Sequence, residues 1–233
     1  MLLKERRQFL SSDSKTTEND ILVLPLDVTN FESHEPALKS VLNKFGKLDI
    51  FINNAGQLNN PDVFVELDMV QDRHIFEVNV FSVVNMSRMV VKYFLKNGGG
   101  QIAVLSSLTG KFPCPYASCY SASKHALQGY FGSLRMETYG NKIDVTLICP
   151  GPVATPIFEK GVTKNPGELS TINVDVKSMI TSERCAHLAL VSMANRLNES
   201  WIGRVSFISF LTYIIAYLPV LLEAVSKIIA TRL

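Results

Sequence analysis

Short apolar runs and longer amphipathic segments alternate along the chain. The apolar runs have the length of strands and lie at residues 21–26, 48–52, 101–105, 142–148 and 205–210. Helical periodicity fills most of the sequence between them, at about residues 33–45, 72–95, 116–139 and 181–197. This alternation is typical of an α/β protein in which helices cover a parallel sheet. We therefore predict that fold class, with Gly46 ending the first helix.

Polar and turn-forming residues occupy the ends of four predicted strands. Asp27 ends the first strand and Ser107 the third, Asn53, Asn54, Ala55 and Gly56 follow the second, and Pro150 follows the fourth. Each placement alone suits an ordinary turn. Together they share the carboxyl edge of the sheet, where open α/β sheets bind ligands. We predict a ligand site at this edge.

Composition narrows the class of protein. Of 233 residues, 47% are hydrophobic and 19% charged, which is enough apolar sequence for a sizeable core. The net charge of +2 gives no reason to expect a nucleic-acid partner. The four cysteines show no metal-binding or disulfide spacing, so we expect free thiols and no metal site. We divide the chain into one catalytic domain, residues 1–210, and an apolar segment, residues 211–233.

The candidate chemistry lies in a helical segment that contains Tyr120 and Lys124. Four residues apart, they share one face of the helix. A tyrosine pKa of about 10 is too high for proton transfer at neutral pH, and a nearby ammonium group is expected to lower it. Ser107, at the end of a strand, can bind a carbonyl or alcohol oxygen. Because a Tyr–Lys pair occurs on many exposed helices, this pair alone is weak evidence.

Five motifs in order make the pattern specific. Asn53, Asn54, Ala55 and Gly56 are followed by Asn79, by Ser107, by residues 120–124 (Tyr-Ser-Ala-Ser-Lys), and by residues 150–153 (Pro-Gly-Pro-Val) with Thr155. The chain resembles the single-domain short-chain dehydrogenase/reductase superfamily, strongly over residues 21–161. Within it, the chain is most similar to the dehydrogenase/reductase member-seven group, near the 11-beta-hydroxysteroid dehydrogenases.

The resemblance implies a Rossmann-like, doubly wound parallel sheet and a nicotinamide-dependent oxidoreductase. It assigns catalysis to Tyr120 (acid and base), Lys124 (lowering the tyrosine pKa and binding the ribose), Ser107 (orienting the substrate oxygen) and Asn79 (holding a water that relays protons). It assigns cofactor binding to Asp27, Val28, Asn53, Ala55, Gly56, Tyr120, Lys124, Pro150, Gly151, Val153 and Thr155. The implied cofactor is NADP, with NAD as the alternative.

One part of the family pattern is missing. The family opens with a strand and a glycine-rich turn that holds the cofactor pyrophosphate at a helix N-terminus, whereas no glycine precedes Gly46 here. We therefore expect a sheet that lacks the first βαβ unit, and weak or no cofactor binding by this polypeptide alone. We interpret the chain as a fragment or incomplete gene product in preference to a truncated isoform.

An apolar stretch near the end of the sequence suggests further properties. Residues 205–222 carry no charge, and Pro219 interrupts them. A helix that dips into a membrane or covers the substrate entrance is one reading, and a core or homodimer helix is the other. The resemblance and this stretch favour a lipophilic, steroid- or retinoid-like substrate. We expect the endoplasmic reticulum membrane as the location, with the cytoplasm as the alternative.

Two other functional classes stay open. The first is a catalytically silent protein that binds a membrane or a partner. The second is an epimerase or dehydratase, which also uses Tyr and Lys but is disfavoured by the short chain and by the residues from Pro150 to Thr155.

Overall fold

A computed structural model describes residues 17–159, 161–163 and 175–203. The chain divides into two compact units, residues 1–48 and residues 49–233, and each unit is described by itself. Residues 205–210 and 211–233, predicted to be a strand and an apolar segment, lie outside the described residues.

Among its described residues, 17–48, the first unit contains the α-helix α1 (His34–Phe45), preceded by a 3₁₀ turn at Phe31–Ser33. Gly46 ends α1 with φ +75°, and its N–H donates to Leu42 O at 2.8 Å. This left-handed position favours glycine because a Cβ would be strained there. The predicted helix and its glycine stop are confirmed.

The strand predicted at residues 21–26 is wrong. These residues form no strand, and Leu24 is exposed. A strand is stabilised by backbone hydrogen bonds to a neighbour, and no strand is present among residues 17–48. An apolar run of strand length therefore does not adopt strand structure in the first unit.

The second unit is built on a four-stranded parallel sheet. Its strands are β1 (Ile50–Asn53), β2 (Gly100–Leu105), β3 (Ile143–Pro150) and β6 (Glu199–Ile202), in the spatial order β1-β2-β3-β6. The predicted second, third and fourth strands are confirmed with small shifts at their ends. Sequence patterning missed β6 because only Trp201 and Ile202 are large apolar residues in it.

In the described part of this unit, the following α-helices accompany the sheet: α2 (Met69–Phe76), α3 (Ser82–Lys96), α4 (Ser118–Glu137) and α5 (Ser182–Ala194). A single π-helical turn, Glu77–Phe81, joins α2 to α3, so the predicted long helix is continuous but irregular at its centre. Asp68 caps α2 by accepting from the backbone N–H groups of Val70 and Gln71. Thr181 caps α5 in the same way through Arg184 N–H.

The core confirms a doubly wound sheet. Ala103 and Ile148 of the central strands are fully buried and form a cluster with Cys185 and Met193 of α5. Their strand neighbours, which point to the opposite face, are also fully or almost fully buried: Ile102, Val104 and Leu147. A parallel sheet that is apolar on both faces needs helices on both faces. In this unit α3 and α4 also pack on β3.

Two short parallel pairings bring later segments towards the carboxyl edge of the sheet. β4 (Val153–Ala154) pairs with β5 (Ile180–Thr181), and Asn59 forms an isolated bridge with Val162. Within the described part of the chain, no helix is long and apolar enough to cross a membrane.

Candidate active site

The carboxyl ends of β2 and β3 meet the first turns of α4. Ser107 follows β2, and Pro150 is the last residue of β3. Tyr120 and Lys124 lie in the first two turns of α4, because the helix begins at Ser118. The sheet edge and one helix face therefore bring together residues that are up to 43 positions apart in sequence.

Lys124 is a buried lysine, with only 4% of its surface exposed. Its Nζ atom donates to Leu105 O at 2.9 Å and lies 5.6 Å from the centre of the Tyr120 ring. Burial lowers the pKa of Lys124 to about 8, because removing the ammonium group from water penalises its charged form. The amine is thus close to its titration range at physiological pH.

Burial acts on Tyr120 in the opposite direction and raises its pKa to about 12. A hydrogen bond between the Ser107 and Tyr120 side chains lowers this pKa, but by less than burial raises it. Overall the pKa of Tyr120 is raised, and the role of the ammonium group in lowering it stays a prediction. Desolvation dominates because a phenolate is costly away from water, and Lys124 directs a hydrogen bond to Leu105 O.

The Ser107 hydroxyl group is oriented by Thr109. Ser107 Oγ accepts from Thr109 N at 3.1 Å and from Thr109 Oγ1 at 3.0 Å. Because a hydroxyl oxygen has two acceptor positions, these two bonds leave Ser107 to act as a donor. Its contact with Pro150 O is long, at 3.4 Å. The Ser107 proton is directed to Pro150 O over this long bond, and a substrate oxygen bound nearby can compete for it.

Asn79 lies in the π-helical turn and is fully buried. Its side-chain oxygen accepts from Gln57 N at 2.8 Å, and its side-chain nitrogen donates to Gln57 O at 2.9 Å and to Ser123 Oγ at 3.1 Å. Both amide hydrogens are thus used within the protein. The amide fixes the loop after β1 and the helix face beside Lys124, and its predicted water-holding role stays a prediction.

Two glycines lie close to Lys124, and at one of them, Gly110, the packing leaves no room for a Cβ. A Cβ on Gly56 would meet Asn79 Oδ1 at 3.4 Å and Lys124 Nζ at 3.5 Å. A Cβ on Gly110 would lie 2.7 Å from the backbone oxygen of Lys124 and 2.6 Å from Ser106 Oγ. Gly56 thus faces Asn79 and Lys124 directly, and Gly110 lets the turn after β2 approach the backbone of α4.

The other residues expected at the cofactor occupy varied positions. Asn53 is buried and its side chain donates to Ser87 Oγ at 2.9 Å, so that side chain is engaged in the core. Ala55 is exposed in the loop after β1.

Gly151 N–H donates to Ile202 O at 2.8 Å, which joins the end of β3 to β6. Val153 pairs with Ile180. Thr155 follows β4 and is half-buried.

Asp27 and Val28 belong to the first unit. Asp27 Oδ1 accepts from Thr29 N at 2.9 Å and from Thr29 Oγ1 at 2.7 Å. Val28 O lies 2.8 Å from Nε2 of the fully buried His34. The contact of Asp27 and Val28 with adenine stays a prediction.

The structure also identifies supporting residues that sequence reasoning missed. Thr109 orients Ser107, Gln57 presents its backbone to Asn79, and Ser123 accepts from Asn79. The spacing of Ser107 and Thr109 is that of a local side-chain-to-backbone turn, which is a signal in the sequence. Nothing local in the sequence pairs Gln57 with Asn79, because their contact crosses 22 positions.

The sequence matches the family model for the short chain dehydrogenase over residues 3–166. The chain belongs to the short-chain dehydrogenase family. It is 38% identical to the Homo sapiens protein "Dehydrogenase/reductase SDR family member 7" over 204 residues, which are 87% of this chain and 59% of the human protein. The chain therefore spans less than two thirds of that relative's length.

Solved structures agree with this family. A short-chain dehydrogenase from Streptomyces avermitilis is similar with a TM-score of 0.68 at 25% identity, over 90% of this chain and 80% of that one. ElxO with NADP bound is similar with a TM-score of 0.61 at 27% identity, over 66% of this chain and 61% of that one. The predicted family is confirmed.

The residues near Lys124 fit one end of a nicotinamide cofactor. A lysine ammonium group has three donors, and one of them is directed to Leu105 O. The remaining donors of this buried group suit the two hydroxyls of a ribose. The pyrophosphate has no matching cradle in the described segments, where no glycine-rich turn opens a helix.

Proposed function

We propose that this chain carries the substrate-binding and proton-transfer part of an NAD(P)-dependent oxidoreductase. The reaction interconverts a lipophilic carbonyl compound and its alcohol. The observation that supports this best is the position of Lys124, whose Nζ atom lies 5.6 Å from the centre of the Tyr120 ring and donates to Leu105 O at the end of β2, two residues before Ser107. Two hydroxyl donors on one side of a site suit the binding and polarisation of a single carbonyl oxygen.

Ser107 and Tyr120 have complementary roles in this proposal. Ser107, whose acceptor positions are filled by Thr109, donates to the substrate oxygen. Tyr120 donates to the same oxygen and transfers its proton in the direction of reduction. A bound nicotinamide supplies or accepts the hydride. Tyr120 is left as a phenolate, and the Lys124 ammonium group 5.6 Å from its ring stabilises that charge.

Asn79 and Lys124 complete the proton path. Lys124 has a pKa of about 8 and can exchange a proton at neutral pH. Asn79 holds Ser123 and the Gln57 backbone in place next to it. We assign the return of the proton to Tyr120 to this pair, with Asn79 also holding the relay water that the family pattern implies.

The preferred cofactor is NADP, with NAD as the alternative. The similarity to ElxO with NADP bound supports this choice. Lys124 would bind the nicotinamide ribose, with Tyr120 beside it. The residues that would line the rest of the cofactor are Asp27, Val28, Asn53, Ala55, Gly56, Pro150, Gly151, Val153 and Thr155.

A lipophilic, steroid- or retinoid-like substrate and a membrane location extend the proposal. The large apolar side chains of Phe64, Val65, Met69 and Val70 are exposed by 63–82% in the segment that follows the loop after β1. An apolar surface of this kind suits a membrane or an apolar ligand. We place the chain at the endoplasmic reticulum membrane, with the cytoplasm as the alternative. Flotation of the chain with and without residues 211–233 on phosphatidylcholine vesicles tests this placement.

The test of function is hydride transfer by the purified chain with a panel of lipophilic ketones and aldehydes at millimolar NADPH. We expect turnover that Tyr120→Phe abolishes. Tyr130→Phe is the matched control, because Tyr130 lies on the same helix with 44% of its surface exposed. Equal turnover by Tyr120→Phe and the unmodified chain would remove Tyr120 from the mechanism.

A catalytically silent, partner- or membrane-binding protein is the second candidate. It is favoured by the lack of any glycine before Gly46, since that leaves the pyrophosphate without the backbone amides of a glycine-rich turn. Calorimetric titration with NADPH separates the two candidates. Binding with micromolar affinity contradicts the silent protein. A lack of both binding and turnover at millimolar NADPH supports it.

A further inference from the structure

Gln57 is the residue after Gly56 in the loop that follows β1. Both of its backbone polar groups are bonded to the Asn79 side chain, at 2.8 and 2.9 Å. A paired arrangement of this kind fixes both the distance and the rotation of an amide relative to a backbone. The position of Asn79 beside Ser123 therefore depends on the position of the Gln57 backbone.

The side chain of Gln57 has a separate contact. Its Oε1 atom lies 2.7 Å from His74 Nε2, and because an amide oxygen only accepts, the histidine nitrogen is the donor. His74 lies in the last turn of α2, before the π-helical turn, and Asn79 lies within that turn. Gln57 thus contacts the long helix at two places: at His74, before the π-helical turn, and at Asn79, within that turn.

A π-helical turn contains one extra residue, which disturbs the regular bonding of an α-helix and is common at functional sites. The direction of the Asn79 side chain depends on how this turn is held. Gln57 holds it from outside the helix, by one side-chain bond to His74 and two backbone bonds to Asn79. This arrangement limits how far His74 and Asn79 can move independently.

The residues after Gln57 connect to a second part of the site. Leu58 O accepts from Val162 N at 2.8 Å, and Asn60 N donates to Val162 O at 2.8 Å. Gln71, in the first turns of α2, adds a bond from its Nε2 atom to Val162 O at 3.3 Å. The loop thus joins Asn79 on one side to the segment after β4 on the other.

We propose that Gln57 is a positioning residue whose side-chain bond to His74 fixes its backbone and so sets the position of Asn79 beside Lys124. The catalytic consequence rests on the proposed oxidoreductase function. The structural consequence does not depend on that function. Removing the bond to His74 loosens the Gln57 backbone and the Asn79 amide while the sheet remains intact.

Hydrogen exchange of the full chain, followed by NMR, tests the structural consequence without cofactor. We expect Gln57→Leu and His74→Leu each to lower the protection of the residue-57 N–H by about tenfold or more. Protection of Ile102 and Val145 N–H, in the central strands, should stay unchanged. The double variant should lose no more protection than either single variant, because both remove the same bond.

Conservative variants distinguish this bond from a general effect on folding. Gln57→Glu keeps an acceptor oxygen and His74→Gln keeps a donor nitrogen, so both should retain protection near that of the unmodified chain. His187→Leu is the control for replacing an exposed histidine on a helix. Unchanged protection at residue 57 in both leucine variants, or additive losses in the double variant, would overturn the proposal.

Kinetics provide the second readout wherever the unmodified chain shows turnover. We expect kcat to fall in both leucine variants with KM unchanged, and His74→Gln to restore kcat. An unchanged kcat in the leucine variants overturns the positioning role. If the unmodified chain shows no turnover, the proposed function fails on its own, and hydrogen exchange alone decides the role of Gln57.

Discussion

Thr109 donates twice to Ser107, through its backbone N–H at 3.1 Å and its hydroxyl group at 3.0 Å. Ser107 also begins the 3₁₀ turn at Leu108–Gly110 and caps it with the same oxygen. One local turn therefore places Ser107 at the end of β2 and fills both acceptor positions of its hydroxyl oxygen. The substrate-binding role that we propose for Ser107 therefore depends on Thr109, which makes no substrate contact in the proposed mechanism.

The Ser107–Thr109 interaction should appear as a coupling energy. Thr109→Val keeps the shape of the side chain but removes its hydroxyl donor, and Ser107→Ala removes the acceptor. In a double-mutant cycle from urea unfolding, we expect a coupling of about 1 kcal/mol, the usual net value of such a hydrogen bond. Thr109→Ser, which keeps the donor, should retain most of it. Additive losses would contradict the orientation of Ser107 by Thr109.

Burial of Lys124 should make stability depend on pH in a defined window. Its pKa is about 8 in the folded chain and 10.5 as a free side chain, so between these values the unfolded state binds more protons. Stability from this group therefore rises with pH across the window, by about 2 kcal/mol between pH 7.5 and 9.5. Below pH 8, Lys124 is mainly protonated in both the folded and the unfolded state, so the full free-energy cost of burying its charge lowers the stability of the folded chain.

Urea unfolding of the unmodified chain and of Lys124→Met at several pH values measures this effect. Lys124→Met cannot titrate and should lack the gain between pH 7.5 and 9.5. The difference between the two curves isolates Lys124 from other groups that titrate in the same range. Parallel curves would show that Lys124 keeps the pKa of an exposed lysine.

Gly110 and Gly129 should respond oppositely to alanine. A Cβ on Gly110 would lie 2.7 Å from the backbone oxygen of Lys124, which cannot move without shifting α4. Gly110→Ala should therefore destabilise the chain by about 1–3 kcal/mol. Gly129, inside α4, has nothing within 4 Å of such a Cβ, and Gly129→Ala should stabilise by up to about 1 kcal/mol. Thermal unfolding of the two variants gives the comparison, and a Gly110→Ala variant as stable as the parent would contradict the close packing.

The four cysteines should differ sharply in reactivity. Cys114 is exposed, whereas Cys119, Cys149 and Cys185 are buried. Burial also raises the pKa of Cys149 to about 11, so little reactive thiolate forms at neutral pH. We expect iodoacetamide at pH 7.5 to modify Cys114 first in the native chain and all four in urea, as followed by peptide mass spectrometry. Rapid modification of Cys149 in the native chain would show that its side chain on β3 is accessible to iodoacetamide and not buried.

The elements on which the site is built follow from local sequence. The helices that carry Asn79 and Tyr120, and the strands that precede Ser107 and Gly151, have periodic apolar positions that predict them. The strands are parallel, and this alone places their carboxyl ends at the same edge of the sheet. The family motifs are local as well, so the sequence identified Asn79, Ser107, Tyr120 and Lys124 as candidates without any coordinates.

Residues 21–26 and β6 show where local pattern is insufficient. An apolar run becomes a strand only beside a hydrogen-bonding neighbour, and none is present among residues 17–48. β6 has a weak pattern, yet it forms because β3 offers a free edge from Leu147 to Pro150. Pairing between distant segments, and not apolarity alone, decides both outcomes.

The sequence by itself determined the fold class, the family and the Tyr120–Lys124 pair, because each rests on local patterns and motifs whose order along the chain can be read without coordinates. The tertiary structure decided how that pair is charged. Burial raises the pKa of Tyr120 and lowers that of Lys124, since the free energy of a charge depends on how much water surrounds it. The tertiary structure also decided that Gln57 holds Asn79, because that contact crosses 22 positions and forms only when the loop after β1 meets the long helix.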